Sequence, residues 1–194
     1  MSGIYFSLVG AVPLAVANSF SWFVKLQPTT FIEQLFFIIS DTEEAKTDHN
    51  RKIIPEICSV IEDNLQHFES LKAIETDIEK EKVITIPEPD LLKSSKIIFD
   101  EILKRKNNSK QLFIDVTGGR KTMTGAAIIA SIYLQNHFYS LNQSISTKLV
   151  YYWVKRYIKA NLKKRAYKLG RDEIEVKIFD VDSLQKIFES GKKP

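Results

Sequence analysis

A chain of 194 residues, 44% hydrophobic and 27% charged, has enough apolar surface for one real core, and this composition excludes a largely disordered chain. The formal net charge of +4 is a mild basic excess whose placement matters more than its size. Cys58 is the single cysteine, which excludes an internal disulfide, and a reducing cytoplasm is the expected compartment.

The opening stretch, residues 4–26, is apolar enough to raise the question of a membrane span. Ser7, Gly10, Pro13, Asn18, Ser19, Ser21 and Lys25 interrupt it and no basic region precedes it, so it reads as a strand, a turn and a helix instead. The first three residues are given no structural role. A strand is expected over 4–9, ending at Gly10, and Pro13 suits the first turn of a helix that runs to about Leu26. Leu35, Phe36, Phe37, Ile38 and Ile39 form a continuous apolar run, as in strands buried on both faces. Ile53, Ile57, Val60, Ile61 and Leu65 then recur at helical spacing, with Cys58 among them as an inert core position. Residues 75–82 are mostly charged, and 83–86 form a short strand stopped by Pro87 and Pro89. Asp90 is placed to cap a helix whose apolar positions are Leu92, Phe99, Ile102 and Leu103.

Residues 112–116 read as a strand, Thr117, Gly118 and Gly119 as the turn after it, and 123–134 as a helix. Gly125, Ala126, Ala127 and Ala130 let that helix pack closely on a sheet. A strand over 149–154 follows, in which Tyr151 and Trp153 are expected to pack the sheet. Residues 174–180 alternate with period two, which suits a half-exposed, antiparallel edge strand, and a short helix over 183–190 closes the chain.

This order predicts an α/β fold: a Rossmann-like, mostly parallel sheet flanked by helices, with a C-terminal strand and short helix. One domain is expected over 1–194, with its core at about 4–154, a basic segment at 155–168 and the terminal strand and helix at 173–190. If the strand order is Rossmann-like, the first and fourth strands are neighbours at the switch point, and the turn at Gly10 lies beside the turn at 117–121.

That second turn is the most informative part of the chain. Gly118 and Gly119 allow a sharp turn and a close approach to a ligand. The following helix start can aim N–H groups at an anion, Arg120 and Lys121 add charge, and Thr117 and Thr122 add hydroxyls. The spacing is neither that of a Walker A loop nor Gly-x-Gly-x-x-Gly, so ATP hydrolysis and NAD binding lose support and no cofactor is expected. The alternative is a tight turn with its cations in solvent.

The pattern Asp115-x-Thr117-Gly118-Gly119-x-Lys121 after a strand, followed by a small-residue helix, resembles the CARF domain (CRISPR-associated Rossmann fold). Ser7, Leu8, Val9 and Gly10, with Pro13 soon after, resemble that family's first strand and turn. The resemblance implies a homodimer that binds a cyclic oligoadenylate, the second messenger of type III CRISPR antiviral defence. It implies a ligand site at Thr117, Gly118, Gly119, Arg120, Lys121 and Thr122, with Gly10 and Ala11 opposite. The cyclic tetra-adenylate (cA4) is the ring size expected. Asp115 is expected to fix the turn rather than touch an anion.

Two activities follow from the resemblance: a sensor that drives an effector domain absent from this chain, or a ring nuclease. The nuclease needs no metal, because a ribose 2′-OH attacks the adjacent phosphate and leaves a 2′,3′-cyclic phosphate. Arg120 and Lys121 are then the catalytic candidates, as groups that stabilise developing charge. The chain's length favours the nuclease, and the absence of a hydroxyl at Ala11 and Val12 speaks against it.

A reading of another class rests on the basic segment. Lys155, Arg156, Lys159, Lys163, Lys164, Arg165 and Lys168 stand there with no acid, so the remainder of the chain carries a net −3 against the overall +4. This is either a solvated face or a lid or groove for a polyanion, and Tyr151, Tyr152, Trp153, Tyr157 and Tyr167 lie in or beside it as rings that can stack on bases, with sheet packing the favoured reading for Tyr151 and Trp153. The segment could instead serve linear RNA or DNA, with no cyclic ligand, a reading that ranks lower because no known recognition motif accompanies the charge. His49, His67 and His137 lack metal-ligand spacing, so no metal is expected. Asp41, Glu43, Glu44 and Asp48 read as a solvated acidic loop.

Overall fold

A computed structural model of the chain describes residues 2–10, 12–42, 50–68, 83–155 and 163–190. In chain order the elements are β1 (Ser2–Leu8), α1 (Pro13–Leu26), β2 (Phe31–Ser40), α2 (Asn50–His67), β3 (Val83–Ile86), α3 (Leu91–Arg105), β4 (Gln111–Asp115), α4 (Lys121–Ser140), β5 (Ser146–Val154), β6 (Ile174–Asp180) and α5 (Val181–Ser190). A short 3-10 turn, Ala166–Lys168, lies between β5 and β6.

The sheet order is β3-β2-β1-β4-β5-β6. The first five strands run parallel, and β6 pairs antiparallel to β5. The α/β class and the antiparallel last strand therefore stand as the sequence predicts. Parallel strands need helical crossovers, and these cover both faces of the sheet. Tyr5, Phe20, Trp22, Phe23, Ile57 and Ile61 fill the layer under α1 and α2. Ile4, Phe6, Ile98, Ile102, Ala126 and Ala130 fill the layer under α3 and α4. Successive β1 residues thus alternate between two cores, which is why β1 is apolar throughout. Each large side chain so buried contributes about 1.5–3 kcal/mol.

Asp90 caps α3 as expected, its side chain accepting from Lys93 N at 3.0 Å. Three expectations need correction. Ser2 and Gly3 belong to β1, where Gly3 pairs with both Ile32 and Gln111. A methyl at Gly3 would stand 2.7 Å from the Phe113 ring, so Gly3 is a packing position. Leu92 is 73% exposed, and α3 instead turns Ser94, Ser95, Ile98 and Ile102 inward. The buried serines are accommodated because Ser94 donates to Pro87 O at 2.6 Å and Ser95 to Leu91 O at 2.7 Å.

The third correction concerns β5. Tyr151 and Trp153 are exposed, at 41% and 47%, whereas Val150, Tyr152 and Val154 are buried under α1. Asp115, the last residue of β4, pairs with Val150, so β5 runs on past β4 to Val154. Its outward residues there, Tyr151 and Trp153, are left half-exposed.

Candidate functional site

Between β1 and β4 the strand order reverses, and the loops leaving their carboxyl ends meet. A methyl on Gly10 would stand 2.0 Å from the Gly118 carbonyl oxygen. One on Gly118 would stand 2.3 Å from the Leu8 carbonyl oxygen and 2.4 Å from Val16 Cγ2. The two loops therefore cross backbone against backbone, a spacing that no side chain at either position fits.

Asp115 anchors this crossing. It is fully buried, and its carboxylate accepts from Thr117 N at 2.9 Å, Tyr5 OH at 3.1 Å and Ser7 Oγ at 3.3 Å. Burial pushes the Asp115 carboxyl above its ordinary value, against hydrogen bonds that favour the charged form. The same burial, with the neighbouring Asp115, raises the Tyr5 phenol. The carboxylate fixes the first turn of the loop and is shielded from any ligand.

Thr117 is tied down in turn. Its hydroxyl accepts from Tyr152 N at 2.8 Å and lies 3.2 Å from Ser19 Oγ. Strand β5, helix α1 and the β4 loop are joined at this one oxygen. Thr117 thus shapes the loop with its side chain, while its backbone stays at the edge.

Helix α4 begins at Lys121 and points its N-terminus at this crevice. No side chain caps it: Arg120 occupies the capping position with extended backbone (φ −66°, ψ 161°) and makes no capping bond. The first N–H groups of an uncapped helix are unpaired donors at the positive end of its dipole. Arg120 and Lys121 are exposed beside them, and Thr122 is half-buried in the first turn. Gly10, Thr117, Gly118, Gly119, Arg120, Lys121 and Thr122 are thus gathered along one edge, while Ala11 lies outside the described residues. Such an edge can hold an anion through backbone donors and two cations, and a charge-assisted hydrogen bond contributes about 1.5–3 kcal/mol.

One participant is missed by the sequence reading. The Glu88 carboxylate lies 3.4 Å from Arg120 Nη1 and is largely buried, while the arginine is half-exposed. Glu88 N donates to Asp41 Oδ1 at 3.2 Å, so the loops after β2 and β3 hold the acid in place. Its signal was an acid between two prolines at the end of a strand whose carboxyl end lies on the same sheet edge.

At residues 163–168 the basic segment behaves differently. Buried Asn64 accepts from Ala166 N at 3.0 Å and donates to Asn18 Oδ1 and Ser21 Oγ, and Asn18 donates to Lys164 O at 2.8 Å. Lys164 pairs with Glu173 and Arg165 with Asp63. This stretch is bound to α1 and α2, on the opposite face of the sheet from α4. Arg156, Tyr157 and Lys159 lie outside the described residues, as do Glu43, Glu44, Asp48 and His49.

Fold and site together define a Rossmann-type α/β domain with a glycine-crossed, cationic loop at its switch point. No known family's sequence profile matches this chain, and no curated protein matches it. Among solved structures it is similar to Can2 from Sulfobacillus thermosulfidooxidans, solved in complex with cyclic tetra-adenylate. The identity is 17%, the TM-score is 0.42, and the likeness covers 77% of this chain. This chain spans 31% of Can2's length. Among the described residues no helix is long and apolar enough to cross a membrane.

Proposed function

We propose that this protein binds a cyclic oligoadenylate, cyclic tetra-adenylate first among them, as a sensor in type III CRISPR signalling. The observation that carries the reading is the crossing of Gly10 and Gly118 beside an uncapped helix start with Arg120 and Lys121 exposed. Its sequence pattern is the one that resembles the CARF domain. Backbone donors of residues 118–122 and the two cations would meet the ring's phosphates.

A ring of repeated units suits two symmetric copies of the loop, so the functional state is a homodimer. The exposed apolar residues Leu92, Ile128, Ile132 and Tyr133 lie on α3 and α4, and α4 starts at the loop itself. A second copy covering them would set two loops side by side. Leu92→Glu with Ile132→Glu should then turn a dimer into a monomer in light scattering. A wild-type monomer at high concentration with bound ring would contradict the arrangement.

Binding is favoured over cleavage. The hydroxyls of Ser7 and Ser19 are engaged with Asp115 and Thr117 inside the fold, so neither is placed to act on a phosphate. Cleavage would proceed by attack of a 2′-oxygen on phosphorus. The bond to the 5′-oxygen would break, and that oxygen would leave with a proton as a 5′-OH. Incubation with radiolabelled cyclic tetra- and hexa-adenylate in EDTA separates the outcomes. Retention of intact ring supports the sensor, a 2′,3′-cyclic phosphate product identifies a ring nuclease, and no retention removes the reading.

A further inference from the structure

On the edge of the sheet beside the loop, two aromatic rings face solvent. The alternation along β5 sends Val150, Tyr152 and Val154 to one core and Leu149 to the other, so Tyr151 and Trp153 project on the α4 side. Their cross-strand partners on β6 are Lys177 and Glu175. Lys177 Nζ lies 5.5 Å from the centre of the Trp153 ring and 3.9 Å from Glu175. The Tyr151 and Trp153 positions stand about 6.6 Å apart along the strand.

The loop is directly beside them. Val116 N donates to Val150 O at 3.0 Å, and Tyr152 N donates to Thr117 Oγ1 at 2.8 Å. The backbone that carries the two rings is therefore hydrogen-bonded to the start of the phosphate loop. The two half-exposed rings leave apolar surface in water that a planar ligand can cover.

We propose that Tyr151 and Trp153 form a stacking subsite for purine bases, alongside the phosphate loop of residues 117–122. Phosphates would be held at the helix start and bases on the rings, with Lys177 and the exposed Lys155 adding positive charge along the path. This rests on the proposed function and names the part of the ligand that each region reads. It assigns to β5 a role that phosphate-binding residues alone do not supply, the preference for a base-bearing anion over inorganic phosphate or pyrophosphate.

The protein offers its own reporter, because its two tryptophans are Trp22, which is 1% exposed, and Trp153, which is 47% exposed. Cyclic tetra-adenylate should quench the emission of the wild type and leave Trp153→Phe unchanged. Trp153→Ala and Tyr151→Ala should each weaken binding by roughly five- to a hundredfold, as loss of one stacked base does. Trp153→Phe should keep most of the affinity. Pyrophosphate should give no quench. Five other outcomes overturn one part or both.

If Arg120→Ala with Lys121→Ala abolishes binding but Tyr151→Ala with Trp153→Ala binds like the wild type, the subsite is wrong and the loop reading stands. If the ring quenches Trp153 equally in the Arg120, Lys121 double variant, the loop reading is wrong and the rings form a surface for adenylates. If Trp153→Phe and Trp153→Ala lose affinity equally, stacking is refuted. If Tyr151→Ala with Trp153→Ala converts a dimer to a monomer without ligand, the rings are an interface between copies and the subsite is wrong. If neither cyclic nor linear oligoadenylate binds the wild type, both readings fall.

Discussion

Two cationic regions of this molecule look alike as sequence and differ as structure. The loop after β4 carries Arg120 and Lys121 on a backbone fixed from below by Asp115, Tyr5, Ser7 and Tyr152. Its charges stand at the edge, where among the described residues Glu88 pairs with Arg120. The basic segment carries more charge, yet Lys164 and Arg165 meet Glu173 and Asp63, and Asn64 holds the backbone against α1 and α2. Charge count alone therefore does not single out a candidate site. A fixed backbone with cations turned outward at the switch point makes the loop after β4 the better candidate, because preorganised donors need no ordering when a ligand arrives.

The comparison can be broken most sharply at the glycine crossing. Gly118→Ala puts a methyl within 2.3 Å of the Leu8 carbonyl oxygen, a backbone atom with no room to retreat. We expect a loss of about 2–4 kcal/mol in chemical denaturation, together with loss of ligand binding. Gly170→Ala serves as control, since its methyl would meet the Asp172 side chain at 2.5 Å, the movable end of an exposed residue. Equal stability of the wild type and Gly118→Ala would show that the loops need not cross as described.

Asp115 tests whether the loop is fixed from below. Asp115→Ala orphans Tyr5 OH, Ser7 Oγ and Thr117 N, at roughly 1–3 kcal/mol for each donor that stays buried and unpaired. Asp115→Asn keeps an acceptor for Thr117 N and removes the charge. Burial raises the carboxyl's folded value, so the folded state holds its proton to higher pH than the unfolded chain. The stability tied to this proton is fully present below the ordinary carboxyl value of about 3.9 and is lost as pH rises through the raised value. Melting temperature measured from about pH 4 upward should show this loss in the wild type and lack it in Asp115→Asn. Parallel pH profiles for the two would contradict the burial argument.

The smallest effect sharpens the contrast within the loop. Glu88→Gln removes the carboxylate that faces Arg120, and a pair whose guanidinium is half-exposed contributes about 0–1 kcal/mol. Ring binding should tighten by up to about fivefold, with the gain shrinking at high salt. Weaker binding would mean that Glu88 orients Arg120 for the ligand rather than competing with it.

Much of this was legible in the sequence because period and punctuation agree. The apolar run at Leu35 to Ile39, Pro13 at a helix start, Asp90 at a cap and the alternation at 174–180 each correspond to an element of the structure. The meeting of the Gly10 and Gly118 turns followed from strand order alone. Leu92 misled because helical spacing gives a stripe but not which stripe is covered, and two buried serines took the inner face of α3. Tyr151 and Trp153 misled because an unbroken apolar run hides alternation, and their exposure depends on how far β5 outruns β4. Glu88 was missed because an acid between two prolines at a strand end marks a loop but not the loop it will meet.

The most direct test of the central claim is equilibrium binding of cyclic tetra-adenylate to three proteins: the wild type, Arg120→Ala with Lys121→Ala, and Lys164→Ala with Arg165→Ala. Each pair removes two positive charges, so bulk electrostatics changes alike. The account predicts a loss of at least about a hundredfold for the loop pair, from two charge-assisted contacts, and a change within about twofold for the basic-segment pair. Equal losses, or a larger loss at Lys164 and Arg165, would contradict it and place the ligand on the other face of the sheet.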